Sequence, residues 1–504
     1  KRTNTGSSNG TKKIHSLGTK LLSSSDPNRA DQFFAWLIDP VKPSDFAKEY
    51  FEKKHLLIQR AGKKGQGEGD HAKPGDDQDA KERADAEDED DRHYYSGFYG
   101  SSDIKAILEN EDLKITYGQD IDITKFAGGK RKTLNKEGQA EPEHVWRKFE
   151  NGCSVRVLRP QEYSDNVCGM LSLMDEYWGR VSGANAYLTP ANTQGFAPHY
   201  DDVDVYILQL EGRKRWRLYP ARGPDDVLPL YSSQDLDPKE LPEPMLDTVL
   251  SPGDLLYAPR GTIHQAVALP GGPASLHLTI SSGQRWTFSD YMALLLPRAV
   301  DLAAESDAAF RASLPRNFQD YMGVIHVDKT KLAKKRVAFR DLIFGLAKKL
   351  ITEDYFALDG AADQMARDFI HGRVPPLLPK AVRKRLAEAK RNNDDGRDSS
   401  AGQESAGQLT ETMHIALVAK GCARLVMEGE AAMLYFSTTN SKVFKGEEEQ
   451  SLPFADHCAP ALEQILDAYP RFVRIGDLEQ LEKEEQLVVA NVLFQAGLVV
   501  AKHG

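Results

Sequence analysis

Residues 195–219 constrain this chain more than any other stretch. Pro198-His199-Tyr200-Asp201-Asp202 leads into an apolar run ending at Leu210, then Glu211-Gly212, then Arg213 to Tyr219. The pattern predicts a strand, a Glu-Gly turn and a second strand: a hairpin with polar groups at its mouth. His199 and Asp201 are two residues apart, so in an extended backbone both side chains leave the same face. An imidazole beside a carboxylate is half of a divalent-metal site. A second histidine would complete a 2-His-1-carboxylate triad, which leaves coordination positions open and suits non-heme Fe(II) oxygenases.

His264 is the candidate for that histidine. Pro252-Gly253-Asp254 makes a turn, a short apolar run follows, and Pro259-Arg260-Gly261-Thr262 turns again just before it. Gly253 and Gly261 supply the positive φ that sharp corners need. A new strand, Gln265 to Leu269, is expected to start at His264 and face the hairpin across a small barrel. In Arg213 to Tyr219, alternation puts Lys214, Trp216 and Leu218 on one face and the arginines on the other. An inward ammonium is costly without an anion. A bound carboxylate removes that cost, and 2-oxoglutarate carries one at its far end. Leu276 to Ser281 alternates too, with His277, Thr279 and Ser281 on the polar face, which belongs inside a ligand-holding barrel. His277 reads as structural, because His199, Asp201 and His264 already fill the protein side of a metal. Asp202 and Asp204 read as loop or outward carboxylates.

With 504 residues the chain has room for two to four domains. A net charge of −10 argues against broad nucleic-acid binding by charge alone. Cys153, Cys168, Cys422 and Cys458 are scattered, which fits a reducing compartment. No run is long and apolar enough for a membrane span, and the start is no secretory signal. It lacks an initiator Met, so residues upstream are expected to be missing. Lys1-Arg2 and Lys12-Lys13 read either as a solvated basic tail or as the remains of a bipartite nuclear signal.

Composition and periodicity divide the chain. Residues 1–30 are expected to be a disordered basic tail, and 31–286 a strand-rich catalytic domain interrupted by a disordered acidic insert at 61–92. In that domain helices are expected at Asp31–Ile38, Phe46–Phe51, Ser102–Asn110 and Val167–Trp178, and strands at Cys153–Leu158 and Ala184–Leu188. Residues 287–371 read as a helical unit. Its apolar stripe (Phe339, Leu342, Ile343, Leu346, Leu350) either meets a second copy or closes a bundle on itself. Residues 372–504, with a disordered insert at 391–409, combine helices and a terminal hairpin in a winged-helix arrangement. The helix expected over Leu478–Ala496 carries Glu479, Glu482, Glu484 and Glu485, so direct DNA reading by it is not expected.

Pro198-His199-Tyr200-Asp201-Asp202, Leu208-Gln209-Leu210-Glu211-Gly212-Arg213-Lys214 and Pro259-Arg260-Gly261-Thr262-Ile263-His264-Gln265-Ala266 closely resemble the nucleolar ribosomal oxygenases of the JmjC class, the bifunctional lysine-specific demethylase and histidyl-hydroxylase family. Apart from the inserts at 61–92 and 391–409, the similarity runs from about residue 31 to the C-terminus and includes Tyr187-Leu188-Thr189-Pro190, Pro315-Arg316-Asn317-Phe318 and Tyr469-Pro470-Arg471-Phe472. It implies an α+β multidomain protein: a double-stranded β-helix (cupin/JmjC) catalytic domain, a helical dimerisation domain and a C-terminal winged helix that does not bind DNA. It implies Fe(II) ligation by His199, Asp201 and His264, with O2 and 2-oxoglutarate as co-substrates. Lys214 is carried over to the distal carboxylate, with Asn185 and Thr279 lining that pocket, and Arg156, Tyr187 and Ser281 to the substrate side. Between Pro229 and Pro242, part of the family's substrate mouth, the similarity is weaker. The implied activity is hydroxylation of a histidine β-carbon in a large-subunit ribosomal protein; demethylation of histone-tail lysine is also ascribed to the family. The implied setting is a homodimer in the nucleus and nucleolus. The alternative from another class is a non-catalytic scaffold in ribosome assembly or chromatin repression.

Overall fold

The computed structural model describes residues 18, 20–60, 94–352, 354–394 and 409–503. The acidic insert at 61–92, most of that at 391–409 and the first residues of the basic tail lie outside these. The rest of the tail is folded. Leu21 is buried in the main core, and Arg29 makes a buried ion pair with Glu176 at 3.4 Å.

Helices α1 (Arg29–Leu37) and α2 (Pro43–Glu49) precede strand β1 (Leu56–Ile58). The spacing of Phe33, Phe34 and Leu37 gives α1 one apolar face, and all three are fully buried. Next come α3 (Ser101–Glu109), β2 (Ile121–Ala127), β3 (Lys130–Thr133), α4 (Pro142–Glu150) and β4 (Ser154–Leu158). The Ser164 side chain caps α5 (Asp165–Trp178), and Gly179, in the left-handed region, ends it. Strand β5 (Ser182–Thr189) then enters the barrel.

The barrel continues through β6 (Asp204–Glu211), β7 (Lys214–Tyr219), β8 (Leu246–Leu250), β9 (Leu255–Ala258), β10 (Ile263–Ala268) and β11 (Ser275–Ser282). An eight-stranded sheet has the order β1-β9-β6-β11-β5-β4-β2-β3, and a three-stranded sheet the order β10-β7-β8; every pairing is antiparallel. The expected hairpin is therefore not one. β6 and β7 lie in different sheets, and Gly212 is the corner at which the chain crosses between them. Alternation along each strand was legible, but it is the same whether two neighbouring strands pair or part. A Cβ at Gly212 (φ 60°) would stand 2.3 Å from the Ala274 carbonyl oxygen. Gly212→Ala is expected to cost about 2 kcal/mol or more, read as a lower urea midpoint.

Ala184, Ala186, Leu188, Leu276, Leu278 and Ile280 turn one face of the large sheet onto the helices in the main core. Between the sheets a smaller core joins Val205 and Ile207 of β6 and Leu256 of β9 to Trp216, Leu218 and Leu250. The alternate positions of β5 and β11, Asn185, Tyr187 and Thr189 with Ser275, His277, Thr279 and Ser281, give the sheet's other face its polar groups. This is the expected double-stranded β-helix.

Residues 285–368 form a compact unit of their own. It contains α6 (Phe288–Ser306), which opens with a Thr287/Asp290 capping box, α7 (Ala308–Arg311) and α8 (Ala333–Leu350); α9 (Leu358–Gly372) begins in it. On α8, Phe339 stacks on Phe318 with ring centroids 5.8 Å apart, while Leu342, Ile343 and Phe344 are exposed.

The chain from Phe369 on belongs to the same compact unit as the barrel. It holds α10 (Lys380–Asp394), β12 (His414–Leu417), β13 (Ala423–Glu428), β14 (Ala431–Phe436), β15 (Gln450–Ala455), α11 (Ala459–Ala468), β16 (Val473–Arg474), α12 (Lys483–Gln495) and β17 (Val499–Lys502). Two three-stranded sheets, β16-β12-β17 and β13-β14-β15, flank these helices. The helix expected from Leu478 starts at Lys483, where Glu482 and Glu485 form a capping box. The first four of the insert's residues, from 391, extend α10, and Leu409 is buried. No helix among the described residues is long and apolar enough to cross a membrane.

Candidate active site

His199 and Asp201 sit not on a strand but on the loop that enters β6. That loop is held against β10 by an isolated antiparallel bridge between His199 and His264. The His199 N–H donates to the His264 carbonyl at 3.2 Å, and the His264 N–H donates back at 2.8 Å. The Gly261 N–H donates to the Asp201 carbonyl at 2.9 Å. A two-residue spacing thus aims both side chains one way without a regular strand, because the bridge extends the backbone there.

The two imidazoles are oriented alike. Nδ1 of His199 lies 2.8 Å from the Ala197 carbonyl oxygen, and Nδ1 of His264 lies 2.9 Å from that of Thr262. Since a carbonyl only accepts, each Nδ1 carries the proton and each Nε2 keeps its lone pair for a metal. Nε2 of His199 is 3.9 Å from Asp201 Oδ1 and Nε2 of His264 is 3.7 Å from Oδ2; the three donor atoms lie within 4.8 Å of one another. Donors at right angles, each ~2.1 Å from one ion, stand ~3 Å apart, so the side chains close by roughly an ångström around it. Burial, with His199 close by, pushes the His264 imidazole down to about 4, which keeps it neutral and able to ligate. Two nitrogens and one carboxylate oxygen with this geometry fit a non-heme Fe(II) ion.

Lys214 is buried on β7. In the β7–β10 register His264 stands opposite Leu218 and Ala268 opposite Lys214, so the lysine lies about 13 Å along the ladder from the histidine. Its Nζ donates to Thr189 Oγ1 at 3.0 Å and lies 3.5 Å from Nδ1 of His277. Among the described residues no carboxylate pairs with it, and burial pushes the ammonium down to about 7. Burial also drives His277 well below its ordinary value, with Lys214 adding to the effect. A neutral His277 beside the lysine avoids two facing cations. Trp216 stands edge-on to His277 with ring centroids 5.2 Å apart and closes the wall between metal site and lysine.

Asn185 and Thr279 face each other across β5 and β11, one same-face pair beyond Tyr187 and His277. Lys214, however, bonds to Thr189 and His277. Sequence reading passed over Thr189, although alternation puts it on the face of Asn185 and Tyr187. It treated His277 as structural only.

Of the residues expected on the substrate side, Arg156 pairs with Tyr187 in the β4–β5 register, and an ion pair with Asp122 occupies its guanidinium. Tyr187 stacks on His277 at 4.8 Å and meets Phe196 edge-on at 5.4 Å. Ser281 lies four residues along β11 from His277, its Oγ 3.4 Å from the Gly183 carbonyl. Phe196, whose ring centroid lies 4.8 Å from the Arg131 guanidinium and 5.5 Å from that of Arg156, and Arg131 itself were missed. Phe196 lies on the ligand loop itself, three residues before His199; Arg131 comes near only through pairing of β2 and β3, which sequence reading did not anticipate. Asp204 is not outward: it is buried and pairs with Arg180 at 3.1 Å. An acidic residue that opens an apolar strand gives no sign of a partner far away in sequence. Asp202 bonds to Ser232 and Gln284.

Two family models match the chain: the JmjC domain over residues 156–291, and the ribosomal oxygenase 1 C-terminal winged helix domain over 374–504. The chain is 39% identical to ribosomal oxygenase 1 of Danio rerio, covering 94% of this chain and 80% of that one. It is likewise 39% identical to ribosomal oxygenase 1 of Homo sapiens, over 95% and 68%. A bifunctional lysine-specific demethylase and histidyl-hydroxylase of Branchiostoma floridae is 35% identical over 94% and 68%. Among solved structures, a ribosomal oxygenase from Escherichia coli in complex with cobalt and 2-oxoglutarate aligns with a TM-score of 0.43 and 15% identity, over 92% of this chain and 99% of that one.

Proposed function

This chain belongs to the JmjC-domain ribosomal oxygenases, and on that premise we propose that it is an Fe(II)- and 2-oxoglutarate-dependent protein oxygenase. Its reaction is hydroxylation of a histidine β-carbon in a large-subunit ribosomal protein. One observation carries the reading: two free Nε2 atoms and a carboxylate converge within 4.8 Å, and further along the same strand pair lies a buried ammonium that no acidic side chain among the described residues neutralises.

His199, Asp201 and His264 hold the iron. The metal, with O2 and 2-oxoglutarate, supplies the oxidation that converts C–H to C–OH while the keto acid becomes succinate and CO2. Lys214 and Thr189 grip the distal carboxylate, which brings the buried ammonium its counter-charge. Trp216 and neutral His277 wall the space between and exclude water. Arg156, Tyr187 and Ser281 belong to the side from which the substrate enters, and Asn185 and Thr279 to the polar barrel wall. Arg156 meets the substrate with its charge already balanced by Asp122, which suits a neutral side chain.

The same centre would oxidise an N-methyl group, so histone-tail lysine is the second substrate class, in keeping with the lancelet relative's name. The exposed Leu342, Ile343 and Phe344 support a homodimer through 287–371. Glu484 and Glu485 at the start of α12 favour a winged helix that does not read DNA. Nuclear and nucleolar work follows from the ribosomal substrate.

The test is mass spectrometry of ribosomal-protein and methylated histone peptides after incubation with Fe(II), 2-oxoglutarate and air. Wild type is expected to add one oxygen to the first peptide, and His199→Ala none. Methyl loss alone would favour the demethylase. No change in either peptide would leave the scaffold reading.

A further inference from the structure

The loop that bears His199 and Asp201 is bonded on one edge to β10; its other edge is bonded to a segment of the chain around residues 226–236, a strap that lies outside the strands. Tyr200, between the two ligands, has both backbone polar groups tied to that strap. Its N–H donates to Ser233 Oγ at 3.0 Å and its carbonyl accepts from the Ser233 N–H at 3.0 Å. Two further ties flank it: Leu236 N–H donates to the Pro198 carbonyl at 2.9 Å, and Ser232 Oγ accepts from the Asp202 N–H at 3.1 Å. Asp226 is buried, and the Arg222 backbone N–H and guanidinium hold it at 2.9–3.0 Å. The strap also touches the other ligand segment: a Cβ on Gly261 would stand 2.0 Å from the Asp226 carbonyl oxygen.

We infer that Ser233 is a positioning residue for the metal centre, its hydroxyl fixing the backbone between His199 and Asp201 so that both ligands face His264. This rests on the reading of those three side chains as metal ligands. A loop residue with no ladder of its own keeps its φ and ψ only while its N–H and C=O are bonded. Removing the hydroxyl frees the Tyr200 N–H, and the span between the ligands can then rotate. The Ser233 backbone bond and the Leu236 bond survive, so the barrel itself stands. Loss of a group that orients ligands typically weakens a metal site by about 10–100-fold.

The experiment titrates the metal-free chain with cobalt(II) alone, by calorimetry, in wild type, Ser233→Ala, Ser233→Thr and His199→Ala. Ser233→Ala is expected to weaken cobalt binding about tenfold with the metal-free melting temperature unchanged, and Ser233→Thr, which keeps the oxygen, to restore it. Cobalt binding by Ser233→Ala equal to wild type overturns the inference. So does an equal loss in Ser233→Thr, since bulk and not the hydroxyl would then be responsible. If wild type binds no cobalt, or His199→Ala binds as well as wild type, the metal reading itself fails and takes this inference with it.

Discussion

Lys214→Met is expected to raise the 2-oxoglutarate concentration for half-maximal turnover by about 10–100-fold while leaving cobalt binding intact. A charge-assisted hydrogen bond in a dry pocket contributes about 1.5–3 kcal/mol, and each 1.4 kcal/mol is tenfold. Methionine fills the space but leaves the distal carboxylate facing Thr189 alone. The pH dependence separates this from a packing defect. Burial holds the wild-type ammonium at about 7, so above that pH the empty pocket contains a neutral amine that must gain a proton before it can grip an anion. Affinity for 2-oxoglutarate should fall as pH rises above 7, with proton uptake on binding. Ligand-free stability should move the other way: between about 7 and the ordinary 10.5 the unfolded chain binds the extra proton, so the lysine's contribution rises with pH. Lys214→Met should abolish both slopes, as calorimetry in buffers of different ionisation enthalpy and urea midpoints from pH 6.5 to 9 would register. A pH-independent affinity in wild type would contradict the account.

Arg373→Met is expected to cost about 3–5 kcal/mol of stability, the largest loss foreseen for a residue outside the site. Arg373 is 1% exposed and donates from Nη1 to the Gly421 carbonyl at 2.9 Å, across to the winged-helix segment. Its charge draws down the Asp175 carboxyl of α5, which burial pushes up to about 7. Without the guanidinium that carboxylate stays buried and uncompensated. Since the folded value lies above the ordinary 3.8, stability falls as pH rises from about 4 through 7, and the variant should fall further. The gap between wild type and variant in urea midpoint should therefore widen from pH 5 to pH 8. A gap that stays constant would mean that lost packing, not Asp175, sets the cost.

Much of the site was legible because its chemistry is local. His199 and Asp201 are two residues apart, His264 follows a glycine corner, and Lys214 shares a strand face with Trp216 and Leu218. What escaped depends on pairing. The corner at Gly212 and the hairpin it was taken for have the same alternation, and only strand order tells them apart. Arg131 reaches Phe196 because β3 pairs with β2, a ladder whose residues Thr124 to Ala127 and Lys130 to Thr133 show no clean apolar alternation. Asp204 finds Arg180 across 24 residues and a sheet. The four cysteines are all buried free thiols, and nothing in the site uses them. Helix ends went astray where turns compete: Leu478 to Glu482 has helical composition, yet the chain first makes a tight turn at Ile475–Asp477 and restarts at the Glu482 cap.

In the proposed reaction three donor atoms surround one metal, and Lys214 faces the far end of the keto acid. Anomalous diffraction from crystals grown with Mn(II) and 2-oxoglutarate under anaerobic conditions tests this arrangement directly. The account expects one strong peak bounded by Nε2 of His199, Nε2 of His264 and the Asp201 carboxylate, with the distal carboxylate in hydrogen-bond reach of Lys214 Nζ. A peak elsewhere, or 2-oxoglutarate seated away from Lys214, would contradict it.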